Sequence, residues 1–250
     1  MKKKIIAVIP ARYSSSRFPG KPLADIHGKP MIWWAYNQAK NVHELSEVYV
    51  ATDDERVRTT CEKYDMPVIM TSVDHQTGAD RVAEVAEKIA ADIYVVIMGD
   101  EPLIMEDDLK NLIKAMVRTK ADAGMLTTKF KNPVDVVNST TIKVVLNDQN
   151  EVVFMSRSPI PFPKASLDYD YYKNIGAYAF TKNALGLYRN SEPGRVEKIE
   201  EIEMLRLLER HLIVTAFEVH SDSVSVDTLK DLEKVRKIIG STMRKEAHEK

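Results

Sequence analysis

Residues 5–9 read Ile5-Ile6-Ala7-Val8-Ile9, five apolar positions in succession, four of them β-branched. A run that is apolar at every position has no solvent face, which is the pattern of a strand covered on both sides in a parallel sheet. Val48-Tyr49-Val50-Ala51-Thr52 and Ile93-Tyr94-Val95-Val96-Ile97 follow the same grammar. Between and after these runs, segments 31–41, 55–64, 80–90 and 106–119 carry apolar residues at three-to-four spacing and are read as helices. Strand alternating with helix predicts βαβ units and hence an α/β domain. In such a sheet, ligands collect at the carboxyl ends of the strands, here loops 10–22, 52–54 and 98–102.

From residue 123 the pattern changes. Segments 125–130, 142–146, 152–155 and 176–180 read as short strands divided by turns such as Asn147-Asp148-Gln149-Asn150, so residues 123–185 are expected to form a smaller antiparallel lobe. A helix over 196–209, a strand over 212–219 and a helix over 228–239, which Asp227 could cap, complete the reading. No repeat or linker divides residues 1–250, which are taken as one domain with an inserted lobe.

Composition narrows the function classes. Lys and Arg number 36 against 37 Asp and Glu, a net charge of −1, so no global field favours nucleic acid or an anionic membrane surface, and neither is expected as a partner. With 44% hydrophobic and 29% charged residues, the chain is not of a disordered or fibrous class. Cys61, alone, excludes an internal disulfide or a cysteine-based zinc site and fits a reducing compartment; the expected location is cytoplasmic. The basic start Met1-Lys2-Lys3-Lys4 resembles a secretory leader, but Pro10 and Arg12 interrupt the apolar run, and no span approaches the ~20 apolar residues of a membrane helix.

Three loops carry chemistry. After the first strand comes Ala11-Arg12-Tyr13-Ser14-Ser15-Ser16-Arg17-Phe18-Pro19-Gly20-Lys21-Pro22-Leu23, which gathers cations, hydroxyls and a glycine. That mixture suits a polyphosphate, although a solvated basic turn has the same composition. It matches neither the Walker nor the Rossmann glycine fingerprint. Met98-Gly99-Asp100-Glu101-Pro102 ends a buried strand in two carboxylates, and Asp100 there is placed to hold magnesium or to serve as a plain turn residue. Asp227 is a second candidate, with helix capping as the ordinary alternative. Asp74-His75-Gln76-Thr77-Gly78-Ala79-Asp80-Arg81 could read the edge of a planar base through Gln76, Thr77 and the backbone near Gly78; Thr77 and Asp80 also have the spacing of a capping box.

These segments, together with Ala51-Thr52-Asp53, Ser156-Arg157-Ser158-Pro159-Ile160-Pro161, Gly176-x-Tyr178 and Val226-Asp227-Thr228-x-x-Asp231-Leu232, resemble the 3-deoxy-manno-octulosonate cytidylyltransferase (CMP-Kdo synthetase) family in order and spacing over nearly the whole chain. The resemblance implies a three-layer α/β/α nucleotidyltransferase core, a homodimer formed through the smaller lobe, and magnesium-dependent use of CTP. The reaction it implies joins CTP to a 3-deoxy-2-ulosonic acid (Kdo or a close relative) and releases pyrophosphate. By position, Arg12, Ser15, Arg17 and Lys21 hold the triphosphate, with Lys21, Arg17 and Asp100 as the catalytic set. Gln76, Thr77, Gly78 and Arg81 face the cytidine. Asp100 and Asp227 bind magnesium, and Arg157, Tyr178 and Glu203 contact the sugar acid. Three positions in the sugar half depart from the family: Met98 and Met204 stand where it has Gln, and Asn174 where it has His. The alternatives are a CTP-dependent transferase for a modified ulosonic acid or a phosphonate, and a nucleotide-binding protein without turnover.

Overall fold

The computed structural model describes residues 3–14, 18–166, 168–221 and 223–248, with side chains described as far as residue 244. The first half runs β1 (Ile5–Pro10), a short hairpin of β2 (Asp25–Ile26) and β3 (Lys29–Pro30), α1 (Met31–Lys40), β4 (Glu47–Thr52) and α2 (Glu55–Lys63). It continues with β5 (Val68–Met70), α3 (Gly78–Lys88), β6 (Ile93–Ile97) and α4 (Glu106–Arg118). The second half comprises β7 (Ala123–Lys129), β8 (Lys143–Leu146), β9 (Val152–Ser156), β10 (Tyr172–Thr181), α5 (Lys182–Arg189) and α6 (Arg195–Glu200). It ends with α7 (Leu205–Glu209), β11 (Val214–Glu218) and α8 (Leu229–His248).

The first strand shows why the fold is layered. Ile5, Ala7 and Ile9 enter one core with Ile32 and Ala35 of α1, Val57 of α2 and Leu112 of α4. Ile6 and Val8 enter the other, against Val82 of α3, Leu185 of α5 and Leu205 of α7. Period-two alternation thus sends one continuous apolar run into two cores, one on each face of the sheet. Local signals fix the helix starts: the Asp54 carboxylate accepts the Arg56 N–H at 2.9 Å, and Thr77 and Asp80 form a reciprocal capping box.

The sheet order is β11-β7-β10-β6-β1-β4-β5, and only β10 on this path runs against its neighbours. The chain moves outward from β1 to β4 and β5, then crosses back to β6 on the other side of β1. The reversal opens a crevice at the carboxyl ends of β1 and β6. Gly99 marks how closely the two ends approach, since a Cβ there would lie 3.2 Å from the Pro10 carbonyl oxygen.

The second half departs from the sequence reading in three places. β7 and β10 are full members of the central sheet, so only β8, β9 and their loops form the antiparallel extension, rather than all of 123–185. The segment read as one helix over 196–209 is two, divided at Glu201, whose φ of 51° lies in the left-handed region. Asp227 does not cap α8: Thr228 Oγ1 accepts the Asp231 N–H at 3.3 Å, and Asp231 Oδ2 accepts the Thr228 N–H at 2.8 Å. No described helix is long and apolar enough to cross a membrane.

Candidate active site

The loop after β1 turns at Gly20, whose φ of 73° suits glycine, and a Cβ there would lie 3.1 Å from the Tyr13 ring. The turn delivers Lys21 to the crevice. Its Nζ lies 2.5 Å from Asp100 Oδ2 and 3.5 Å from Asp227 Oδ1. Asp100 comes from the end of β6, and Asp227 from the segment before α8, which the Val226 N–H to Asp100 carbonyl bond fastens alongside at 2.9 Å. Freed from capping, Asp227 completes a site whose three members are separated by up to 206 positions.

Beside it, Glu101 is buried, and burial together with the Asp100 charge pushes its carboxyl up to about 7, against hydrogen bonds from Ser223 Oγ at 2.5 Å and the Gly176 N–H at 3.2 Å. Gly176 is required there, because a Cβ would meet Glu101 Cγ at 2.7 Å. Glu101 therefore ties the Asp100 loop to β10. Sequence reasoning passed over it, although the adjoining Gly176-x-Tyr178 motif hinted at a close approach.

A cleft of about 740 Å³ opens from this knot. Arg12, Lys21, Asp100 and Asp227 line it, together with Met98, Arg157, Asn174 and Tyr178. Because β10 is antiparallel, Tyr178 pairs with Val96 near the carboxyl end of β6, and Asn174, earlier in β10, lies beyond that end. Asn174 Nδ2 donates to Tyr178 Oη at 2.6 Å, and burial pushes the Tyr178 phenol up. Arg157 is anchored by backbone carbonyls: Nε donates to Glu200 at 2.7 Å, Nη1 to Ser139 at 3.2 Å and Nη2 to Glu201 at 3.2 Å.

Other expected residues stand elsewhere. Thr77 Oγ1 is engaged with the Asp80 N–H at 3.1 Å and with Tyr188 Oη at 3.1 Å. Arg81 is buried, its guanidinium on Thr71 Oγ1 at 2.5 Å and on Asp53 at 3.3 Å. Gln76 donates its side-chain amide to the Asp74 carbonyl at 3.0 Å, while its own carbonyl accepts from Arg12 at 3.5 Å, linking this segment to the basic loop. Thr77 and Arg81, expected to face the cytidine, both have side chains engaged with protein partners. Gly78 likewise gives its N–H to Glu203 Oε1 at 2.9 Å, and Ala79 gives its N–H to Glu203 Oε2 at 2.9 Å.

Glu203 is thus an anchor for the N-terminus of α3 rather than a lining residue of the main cleft. Burial pushes its carboxyl up, opposed by those two N–H groups. Met204 is buried beside it, and both line a smaller cavity of about 160 Å³ that shares Met98, Ile142 and Tyr178 with the main cleft. Ser15 and Arg17 lie outside the described residues. Among the described residues no cluster of three or more His, Cys, Asp or Glu side chains could hold a metal ion. Asp100 and Asp227 do converge on one cation, and this donor set fits magnesium, which takes one or two carboxylates and fills its shell with phosphate oxygens and water.

The comparisons bear on this arrangement. The cytidylyltransferase family model matches residues 6–218. This chain belongs to the cytidylyltransferase family. It is 39% identical to the 3-deoxy-manno-octulosonate cytidylyltransferase of Escherichia coli, with 98% of this chain and 99% of that protein covered. The 8-amino-3,8-dideoxy-manno-octulosonate cytidylyltransferase of Shewanella sp. (strain W3-18-1) is 38% identical over 92% of this chain and 96% of its own length. Among solved structures, that of CMP:2-keto-3-deoxy-manno-octonic acid synthetase complexed with CTP superposes with a TM-score of 0.90 at 39% identity, covering 96% of this chain and 99% of that one. The cytidylyltransferase fold and the CMP-Kdo synthetase resemblance read from the sequence are thus borne out, and the chain is a nucleotidyltransferase.

Proposed function

We propose that this cytidylyltransferase joins CTP to a 3-deoxy-2-ulosonic acid, Kdo or a close relative, and releases pyrophosphate. The observation that carries the proposal is Lys21 held between Asp100 and Asp227 in a cleft that Arg157, Asn174 and Tyr178 also line. Arg12, Ser15, Arg17 and Lys21 take the triphosphate, each able to donate to its oxygens. The base lies against the segment around Gln76, read by backbone groups since Thr77 and Arg81 are engaged. Arg157 meets the carboxylate of the acid. The sugar's anomeric oxygen attacks the α-phosphorus, the bond from that phosphorus to the bridging oxygen breaks, pyrophosphate leaves, and the hydroxyl proton passes to solvent. Asp100 and Asp227 would hold magnesium, which supplies charge neutralisation on the phosphates when bound. Lys21 stabilises the developing negative charge on the leaving group from a fixed position.

The acceptor is the finer question. Met98 and Met204, with Val96, Ile142 and Phe180, give the smaller cavity an apolar wall. A Met thioether is a weak acceptor and no donor, so these positions hold fewer sugar hydroxyls than Gln would. This supports an acceptor deoxygenated or substituted on that side. Pyrophosphate release from CTP with magnesium and a panel of ulosonic acids tests the function; turnover with at least one acid is expected, and none with any would sink the reading.

We also propose a homodimer formed through the antiparallel extension. β9 lies at its edge, paired with β8, and exposes Val153, while Phe162 beyond it is 85% exposed. Such apolar groups on a projecting edge call for cover. Equilibrium sedimentation should give a mass twice the chain's 28.4 kDa; a single-chain mass at micromolar concentration would refute it.

A further inference from the structure

Lys143 lies in β8, and its side chain is fully buried. Burial of an ammonium is costly unless its donors are met. Here Nζ donates to the backbone carbonyls of Asn138 at 2.9 Å and Thr141 at 2.7 Å, and to that of Arg157. Three N–H donors thus meet three carbonyls drawn from two separate segments. Both segments line the main cleft, through Asn138, Thr140, Thr141 and Ile142 on one side and Arg157 on the other.

We infer that Lys143 is the positioning residue of the acceptor half of the site: it clamps the 138–142 loop to the turn after β9 and so holds Arg157 where the acid's carboxylate arrives. The inference rests on the proposed acceptor reading. The clamp works through a relay. Lys143 fixes the Arg157 carbonyl, and the Arg157 guanidinium grips the Ser139 carbonyl of the loop that Lys143 also holds. The same guanidinium reaches the carbonyls of Glu200 and Glu201, while the Glu200 carboxylate accepts Ser156 Oγ at 2.5 Å and the Arg157 N–H at 2.9 Å. Loop, turn and the end of α6 are thereby joined around one buried cation. Burial and the neighbouring Arg157 charge push the Lys143 ammonium toward neutrality and Glu200 opposes them, in keeping with a group held chiefly by carbonyl dipoles. The triphosphate end, from Arg12 to Asp227, shares none of these bonds.

The test uses Lys143→Gln, which keeps two N–H donors, and Lys143→Met, which keeps none. In the full-length enzyme the KM for the ulosonic acid should rise roughly tenfold in Lys143→Gln and further in Lys143→Met, as expected when buried carbonyls lose partners, while the KM for CTP stays within about twofold. Amide hydrogen exchange should quicken across 138–142 and 156–158 and stay unchanged at the Lys21 turn. If Lys143→Met fails to fold, Lys143→Gln alone decides. Equal shifts in both KM values, unchanged exchange in the loop, or failure of Lys143→Gln to fold would each overturn the inference. Absence of turnover in the wild type with every acid strikes the proposed function instead, and the exchange measurement still judges the clamp.

Discussion

Asp100→Ala is expected to lower kcat on the order of 10²–10³-fold with magnesium present, the scale seen when one fixed electrostatic group is removed from the site of developing charge. The structure gives two reasons. Asp100 holds Lys21 at 2.5 Å, so its loss leaves the ammonium with the longer 3.5 Å contact to Asp227 and removes one of two carboxylates that fit magnesium. It also relieves Glu101, whose carboxyl the Asp100 charge helps to raise, so folding should not suffer. The melting temperature is therefore expected to stay close to the wild-type value, and chelation by EDTA should mimic the substitution in the unmodified enzyme. Full activity of Asp100→Ala, or indifference to EDTA, would remove Asp100 and magnesium from the mechanism.

Arg206→Met is expected to destabilise the fold by roughly 3–5 kcal/mol, the range for breaking one side of a buried ion pair. Arg206 and Glu197 are both buried. Nε reaches Glu197 Oε2 at 2.8 Å and Nη2 reaches Oε1 at 2.7 Å. Nη1 extends to Asp80 at 3.3 Å and to the Tyr188 carbonyl at 3.3 Å, and the guanidinium lies 3.8 Å from the Tyr188 ring centroid. Removing it strands the Glu197 carboxylate in the interior and unties α7 from α3 and α5. Denaturant unfolding should show the loss. The double variant Arg206→Met/Glu197→Leu should recover part of it, because the buried Glu197 charge is then gone. A loss below about 1 kcal/mol in the single variant would mean that water reaches Glu197.

The first half of the fold was legible because β1, β4 and β6 are apolar on both faces and two of its helices carry capping signals, Asp54 for α2 and Thr77 with Asp80 for α3. The second half was less so. β7 and β10 join the central sheet through pairings such as Tyr178 with Val96, and no local periodicity encodes a partner that far away. Asp227 stood between capping and ligation, and Thr228-x-x-Asp231 could have settled it, since that spacing supplies its own capping box. Lys143 was the hardest to read, and Glu203, placed at the sugar acid by resemblance alone, gave no sign of its bonds to α3. A charged residue in sequence reads as solvated, and only the fold shows that Glu203 meets backbone N–H groups more than 120 positions away, or that Lys143 finds three carbonyls. In the site, Lys21, Asp100 and Asp227 could be named from the sequence, but their contact could not. The partners of Thr77 and Arg81 were not legible, because a capping residue and a base-reading residue look alike in sequence.

The central claim is that the acceptor's own anomeric oxygen becomes the bridge to the α-phosphorus of CTP. Kdo labelled with oxygen-18 at that hydroxyl, incubated with CTP, magnesium and the enzyme, tests it by phosphorus resonance. The account predicts that the label enters the phosphorus–oxygen–carbon bridge of a CMP-sugar, seen as an isotope shift of its single phosphorus signal, with unlabelled pyrophosphate formed in equal amount. Label in the pyrophosphate, or pyrophosphate without a CMP-sugar, would contradict it.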